Sequence, residues 1–253
     1  MLFETSLLEN AALRLSAPQP LHTQGAIEPD ICLNSDDAGL LIWTQQGRGA
    51  DRICARRFAA QGFGPIIEWS SRAGLEYQPA LALLPDGTLL GLHVACRQGE
   101  YQLIQRELRG EVLGPEQVVY RSAEGLFRPR LLVSDRRVWL VFEAVQGAAT
   151  RLAVMQRDGT AWSAAQFLET SSDWCSRAAL ARRSDGSIWC AYDAYHDGHY
   201  AVYLQRLDEP GKALRVTPEA YQSVQPALAA GSDSTLWIAY ARDRKSTRLN
   251  SSH

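Results

Sequence analysis

The sequence predicts an all-β fold, a β-propeller of four-stranded blades with about five repeats visible, in a ring that is either closed or incomplete. Three observations carry that expectation. A motif recurs about every fifty residues along the 253-residue chain. Each unit holds short, partly alternating strands of β-branched and aromatic residues set apart by turn dipeptides. Helix start signals followed by a 3.6-residue apolar period are scarce.

The repeat is clearest in LLPDGTLLGLHV (83–94), LVSDRRVWLVFEA (132–144), ARRSDGSIWCAYDA (181–194) and AAGSDSTLWIAYA (229–241). In each, an Asp stands four residues before a large apolar residue: Asp86/Leu90, Asp135/Trp139, Asp185/Trp189 and Asp233/Trp237. The Asp positions are 49, 50 and 48 residues apart. An earlier copy, LNSDDAGLLIWTQ (33–45), is expected to place Trp43 in the same register. The Asp is expected to hydrogen-bond its own turn, and the Trp to fill the wedge between blades.

The other elements of the unit follow in order. A proline precedes most copies (Pro29, Pro79, Pro129 and Pro226), with Ala in its place in the fourth. After the second strand come a polar turn and a third strand ending in basic or amide residues: RICARRF, YQLIQREL, TRLAVMQRD and YAVYLQRL. A last strand then runs into a Ser/Thr-rich step: IIEWSS, QVVYRS, AQFLETSS and ALRVTPEA. One four-stranded sheet cannot bury both its faces alone, whereas sheets packed face to face around an axis can. The expected blades span about 27–72, 77–122, 127–172 and 174–218, with half-blades at 1–24 and 224–242.

The two half-blades allow two readings: one shared blade closing a five-bladed ring, or a ring with blades missing. The stretch 10–19 parallels GKALRVTPEA (211–220), the second half of a unit. The segment DRKSTRLNSSH (243–253) resembles, in every residue, the translation of a common short-read sequencing adapter. It is read as a non-native tail, with the natural chain expected to continue, and is excluded from fold and function.

Composition excludes several classes. Net charge is −2 with signs mixed along the chain, so neither nucleic acid nor an anionic membrane is an expected partner. No apolar run approaches the roughly 20 residues that span a bilayer. No signal-peptide pattern opens the sequence, so localisation is periplasmic or extracellular only if a leader precedes it, and otherwise cytoplasmic. The five cysteines, Cys32, Cys54, Cys96, Cys175 and Cys190, include no C-x-x-C pair. They read as buried thiols, with Cys175–Cys190 the first pair to inspect for a bridge.

Binding residues in a propeller are expected on the loops entering the first strand and on those joining the second and third. These supply Glu28, Tyr77, Gln78, Arg128, Trp174, Arg177 and Gln225 from the first set, and Glu143, Asp193 and Tyr195 from the second. Arginines, carboxylates and aromatics at one mouth suit a sugar or an anionic small molecule. His196 and His199 form H-x-x-H without a third ligand at suitable spacing, and Asp197-Gly198 reads as a hairpin turn. Neither a metal nor any cofactor is expected. No nucleophile-elbow, zincin, phosphate-loop or dinucleotide motif is present. Paired carboxylates for glycoside hydrolysis would have to come from Glu28, Glu143 and Asp193.

The fourth unit, DWCSRAALARRSDGSIWCAYDAYHDGHYAVYLQRL (173–207), resembles repeats of bacterial propellers of the TolB-like or sialidase-like type. It is particularly similar to propellers found ahead of a PHP-type metallohydrolase domain. Trp174, Asp185, Gly186, Trp189, Tyr192, Asp193, Tyr195, Gly198, Tyr200, Val202, Tyr203 and Leu204 carry the match. The resemblance implies that any metal-dependent hydrolase chemistry lies in a following domain. It departs from true sialidases, whose S-x-D-x-G-x-x-W box is longer than SDGSIW (184–189). The sequence reading is thus a non-catalytic propeller that binds a small molecule or sugar, or packs against another domain of the same chain. The alternative is the front part of a hydrolase: a propeller glycosidase or sugar lyase, or a propeller attached to a metallohydrolase.

Overall fold

A computed structural model describes residues 25–34, 38–72, 74–168, 172, 174–209, 211–218 and 221–243. The expected half-blade at 1–24 and all of the expected tail except Asp243 lie outside them. The described residues form strands and turns without a helix. The first sheet is β1 (Ala26–Leu33), β2 (Gly39–Gln45), β3 (Arg52–Ala59) and β4 (Gly62–Glu68). The second is β5 (Leu75–Leu83), β6 (Leu89–Arg97) and β7 (Glu100–Arg109), with a split fourth strand, β8 (Val112–Leu113) and β9 (Gln117–Ser122). The third repeats that plan as β10 (Leu126–Ser134), β11 (Arg137–Gln146), β12 (Ala149–Asp158), β13 (Ala161–Trp162) and β14 (Gln166–Phe167). The fourth is β15 (Trp174–Arg182), β16 (Ile188–His196), β17 (His199–Arg206) and β18 (Leu214–Arg215), and β19 (Gln222–Ala230) pairs with β20 (Leu236–Asp243).

Within each sheet the strands pair antiparallel in chain order, both pieces of a split fourth strand pairing with the third. First strands pack against first strands, β1 on β5, β5 on β10, β10 on β15 and β15 on β19, which sets the sheets around a common axis. The fold is a β-propeller. Second strands sit between neighbouring sheets and are buried on both faces, so β6 (LLGLHVACR) and β11 (RVWLVFEAVQ) read as near-continuous apolar runs. Three clusters fill the wedges. Leu40, Ile42, Trp69 and Leu89 occupy the first; Leu90, Leu92, Leu140 and Phe142 the second; Trp139, Val141, Ile188 and Tyr192 the third.

The Asp turns follow the expectation in three units. Asp86, Asp185 and Asp233 accept the backbone N–H two residues ahead at 3.0, 2.9 and 3.0 Å. The Ser187 hydroxyl and then this amide bond at Asp185, and the amide bond first at Asp86 and Asp233, hold all three carboxyls below their ordinary range. Asp135 differs: its turn is one residue shorter, it takes φ 54°, and its carboxylate meets Arg182 at 2.8 Å.

The expected register of Trp43 is corrected. Strand pairing aligns Leu40 with Leu90, Trp139, Trp189 and Trp237, whereas Trp43 aligns with His93, Phe142, Tyr192 and Tyr240. An offset of three residues is odd, so Trp43 lies on the opposite pleat and packs with Leu41, Cys54 and Phe58. Residue identity suggested one alignment, and the hydrogen-bonded ladder sets another. The wedge role holds for buried Trp139; Trp237, on the last described sheet, is 63% exposed. None of the five cysteines is in a disulfide, and burial pushes the Cys190 thiol up.

Candidate functional site

The site begins with a bulge repeated in every first strand. Pairing slips by one residue between Ile27 and Asp30, Tyr77 and Ala80, Phe127 and Arg130, Ser176 and Ala179, and Val224 and Ala227. The first residue inside each slip has positive φ: Glu28 51°, Gln78 51°, Arg128 47°, Arg177 54° and Gln225 56°. None is glycine, so each conformation is strained and must be held by its surroundings.

The holding partner comes from the preceding sheet. The Gln78 N–H donates to Glu28 Oε2 at 3.0 Å and to Thr44 Oγ1 at 3.1 Å. The Arg128 N–H donates to Gln78 Oε1 at 2.8 Å. The Arg177 N–H donates to Glu143 Oε1 at 2.7 Å, and the Gln225 N–H to Asp193 Oδ2 at 2.8 Å. A relay of side chain to bulge amide therefore runs from sheet to sheet around the mouth. It uses seven of the ten residues expected to bind ligand.

Two of these carboxylates also carry arginines. Arg128 Nη1 donates to Glu143 Oε2 at 2.8 Å, and Ser176 Oγ donates to Oε1 at 2.9 Å. Arg177 grips Asp193 with two bonds, Nε to Oδ2 at 2.6 Å and Nη2 to Oδ1 at 3.0 Å. That contact raises the Arg177 pKa. Glu143 and Asp193 are 2% and 0% exposed, so both charges are desolvated and fully paired. Both carboxylates are thus occupied in holding strained backbone and two arginine heads.

Those heads open on a cleft of about 340 Å³ between the third and fourth sheets, lined by Phe127, Arg128, Glu143, Thr150, Trp174, Cys175, Ser176, Arg177 and Tyr200. One parallel pair, Thr150 with Trp174, links the two sheets here. Trp174 is 52% exposed and pairs across the strands with Tyr195, which pairs in turn with Tyr200. The two tyrosine rings lie 4.9 Å apart, and the Arg177 guanidinium stands 5.9 Å from the Tyr200 ring centre. An exposed indole beside a phenol offers an apolar stacking face with polar edges. Arg128 and Arg177 keep N–H donors beyond those spent on the carboxylates.

The structure therefore divides the expected ligand residues. Arg128, Glu143, Trp174 and Arg177 meet at the cleft, and Tyr195 stands beside it. Glu28, Gln78, Asp193 and Gln225 serve the relay. Tyr77 packs on Phe127, its ring centre 6.2 Å away, and donates its hydroxyl to the Leu126 carbonyl at 3.0 Å. It is a wedge residue, and burial raises its phenol pKa. Tyr200 and Thr150 were not singled out as ligand residues; the aromatic alternation Tyr195, Tyr200 across a two-residue turn is the signal that finds the first. That turn has φ 49° at Asp197 and 82° at Gly198, the primed hairpin geometry. His196 and His199 face each other as its closing pair. No cluster that could hold a metal ion occurs among the described residues.

With fold and cleft defined, the chain is a propeller with a polar–aromatic cleft between its third and fourth sheets. No family model matches this chain, and neither does any curated protein sequence. Solved structures share its fold at low identity. A protein of unknown function from Dyadobacter fermentans superposes with TM-score 0.63 at 12% identity, over 85% of this chain and 75% of that one. An ulvan lyase, a polysaccharide lyase, gives 0.61 at 9% over 85% and 62%. An endo-arabinase from Bacteroides thetaiotaomicron gives 0.53 at 11% over 84% and 88%.

Proposed function

We propose that this propeller recognises a carbohydrate at the cleft between its third and fourth sheets. The observation that carries the reading is the exposed face of Trp174, continued by Tyr195 and Tyr200 and flanked by the heads of Arg128 and Arg177. Pyranose and furanose rings present C–H faces that suit such a platform, and their hydroxyls accept from the spare arginine N–H groups. The enzymes of like fold act on polysaccharides, which supports a sugar ligand and favours the catalytic alternative over a pure binding module. Against a glycosidase built on Glu143 and Asp193 stands their burial, since a proton-transferring carboxylate must reach the bond it cleaves. The resemblance of 173–207 to propellers preceding a metallohydrolase supports the form of that alternative in which a metallohydrolase domain is attached; a reading frame from the same genome tests it.

The experiment is a binding and turnover screen with arabinan, xylan and uronate-containing oligosaccharides, using Trp174→Ala. Removal of one stacking side chain from a binding mouth should weaken binding about tenfold or more, without shifting the urea midpoint. Binding unchanged in Trp174→Ala overturns the assignment of the cleft. Saturable binding without turnover selects the module, and turnover lost in Trp174→Ala selects the enzyme. Glu143→Gln alone does not separate them, because the same residue holds the fold.

A further inference from the structure

β12 runs from the cleft to the opposite end of the propeller, about 23 Å along the strand from Thr150 to Arg157 at ~3.3 Å per residue. Arg157 is out of place there. Strand pairing puts it level with Phe58, Leu108 and Leu207 in the other sheets, a position the repeat otherwise fills with an apolar side chain. It lies on the pleat of Ala153 and Met155, facing the second sheet, and is 2% exposed. An arginine keeps its charge when buried, so a position where leucine serves two other units bears a desolvation cost without gain to the fold.

The partners do not account for it. Arg157 Nη2 donates to Glu107 Oε1, while the buried Nε and Nη1 have no hydrogen-bond partner. Glu107 is shared with Arg109, whose Nη2 donates to Glu107 Oε2 at 2.9 Å. Burial pushes the Glu107 carboxyl up, but Arg157 and Arg109 together bring it below its ordinary range. These residues line a cleft of about 240 Å³ with Arg106, Gln105, Gln117 and Thr160. Three arginines against one carboxylate leave the lining with an excess of two positive charges, beside two unfilled guanidinium donors.

We propose that this cleft is a binding site for a small oxyanion of the phosphate or sulfate type, held by Arg157 with Arg109 at its rim. The anion supplies the acceptors that Arg157 lacks and balances the excess charge. The site lies at the other end of β12 from the proposed carbohydrate cleft and does not depend on that reading.

The test is thermal unfolding of the full chain, titrated with sodium phosphate or sodium sulfate against sodium chloride at matched ionic strength. A saturable rise in Tm with the oxyanions but not with chloride is expected. Arg157→Leu, which installs the residue the repeat uses, should fold at least as stably and need about tenfold more anion. Arg109→Gln changes an exposed side chain and should weaken the response severalfold; phosphorus NMR line broadening reads the same affinity if Arg157→Leu fails to fold. Equal stabilisation by chloride, or an unchanged oxyanion response in either variant, overturns the proposal.

Discussion

The junction between the second and third sheets and the junction between the third and fourth do one mechanical job with different chemistry. In both, a strained bulge amide, Arg128 or Arg177, is caught by an oxygen from the preceding sheet. At the first junction the catcher is Gln78, an uncharged amide on the preceding bulge itself. At the second it is Glu143, a buried carboxylate on the second strand, at the position where the second sheet has Val94. The neutral version shows that a carboxylate is not required to hold the bulge. What Glu143 adds is the fixed head of Arg128, as Asp193 adds that of Arg177. Charge at these junctions therefore serves the mouth, and the aromatic platform stands at the same place.

That difference can be broken by mutation, beginning with the largest effect. Glu143→Ala leaves the Arg128 head, the Arg177 amide and Ser176 without their acceptor, and should cost about 3–5 kcal/mol in urea unfolding. Gln78→Ala, at the neutral junction, should cost only about 1 kcal/mol. Equal losses would show that the charge of Glu143 adds nothing to stability beyond an acceptor for the bulge amide. Between these sits Gly91→Ala. A Cβ there would lie 2.3 Å from Trp69 Cζ2, so the buried indole must move, and overpacking should cost about 1–3 kcal/mol.

An effect confined to acid is expected at the junction of the first and second sheets. Glu116 accepts from Arg97 Nη1 at 2.8 Å and from the Ser71 N–H at 2.7 Å. Burial works against ionisation there, yet these bonds bring its pKa down to about 2. A depressed carboxyl contributes stability above its unfolded pKa and loses it as pH falls through the folded value. The contribution should therefore fade between about pH 4.5 and 2, and the urea midpoint of Glu116→Gln should lack that part of the slope.

Much of this was legible in the chain. The fifty-residue period, the Asp turns and the Asp197-Gly198 hairpin follow from local chemistry, because turn and strand preferences act over a few residues. Seven of the ten expected mouth residues are joined by the bulge relay, since every first-strand bulge falls at the same point of the repeat. Their roles did not follow. Glu143 and Asp193 look like candidate acids in sequence, but a buried acceptor for a neighbouring sheet's amide shows only after sheets are packed. Trp43 and Arg157 were misleading or silent because a pleat alternates every residue, and the third strand's basic ending does not say which arginine turns inward.

The sequence by itself determined the strand repeat and the propeller, because burying both faces of each sheet requires neighbours of the same kind. Only tertiary structure decided register across sheets, which carboxylates are latches, and where arginines meet aromatics. Those depend on contacts between residues some fifty positions apart, which no local pattern encodes.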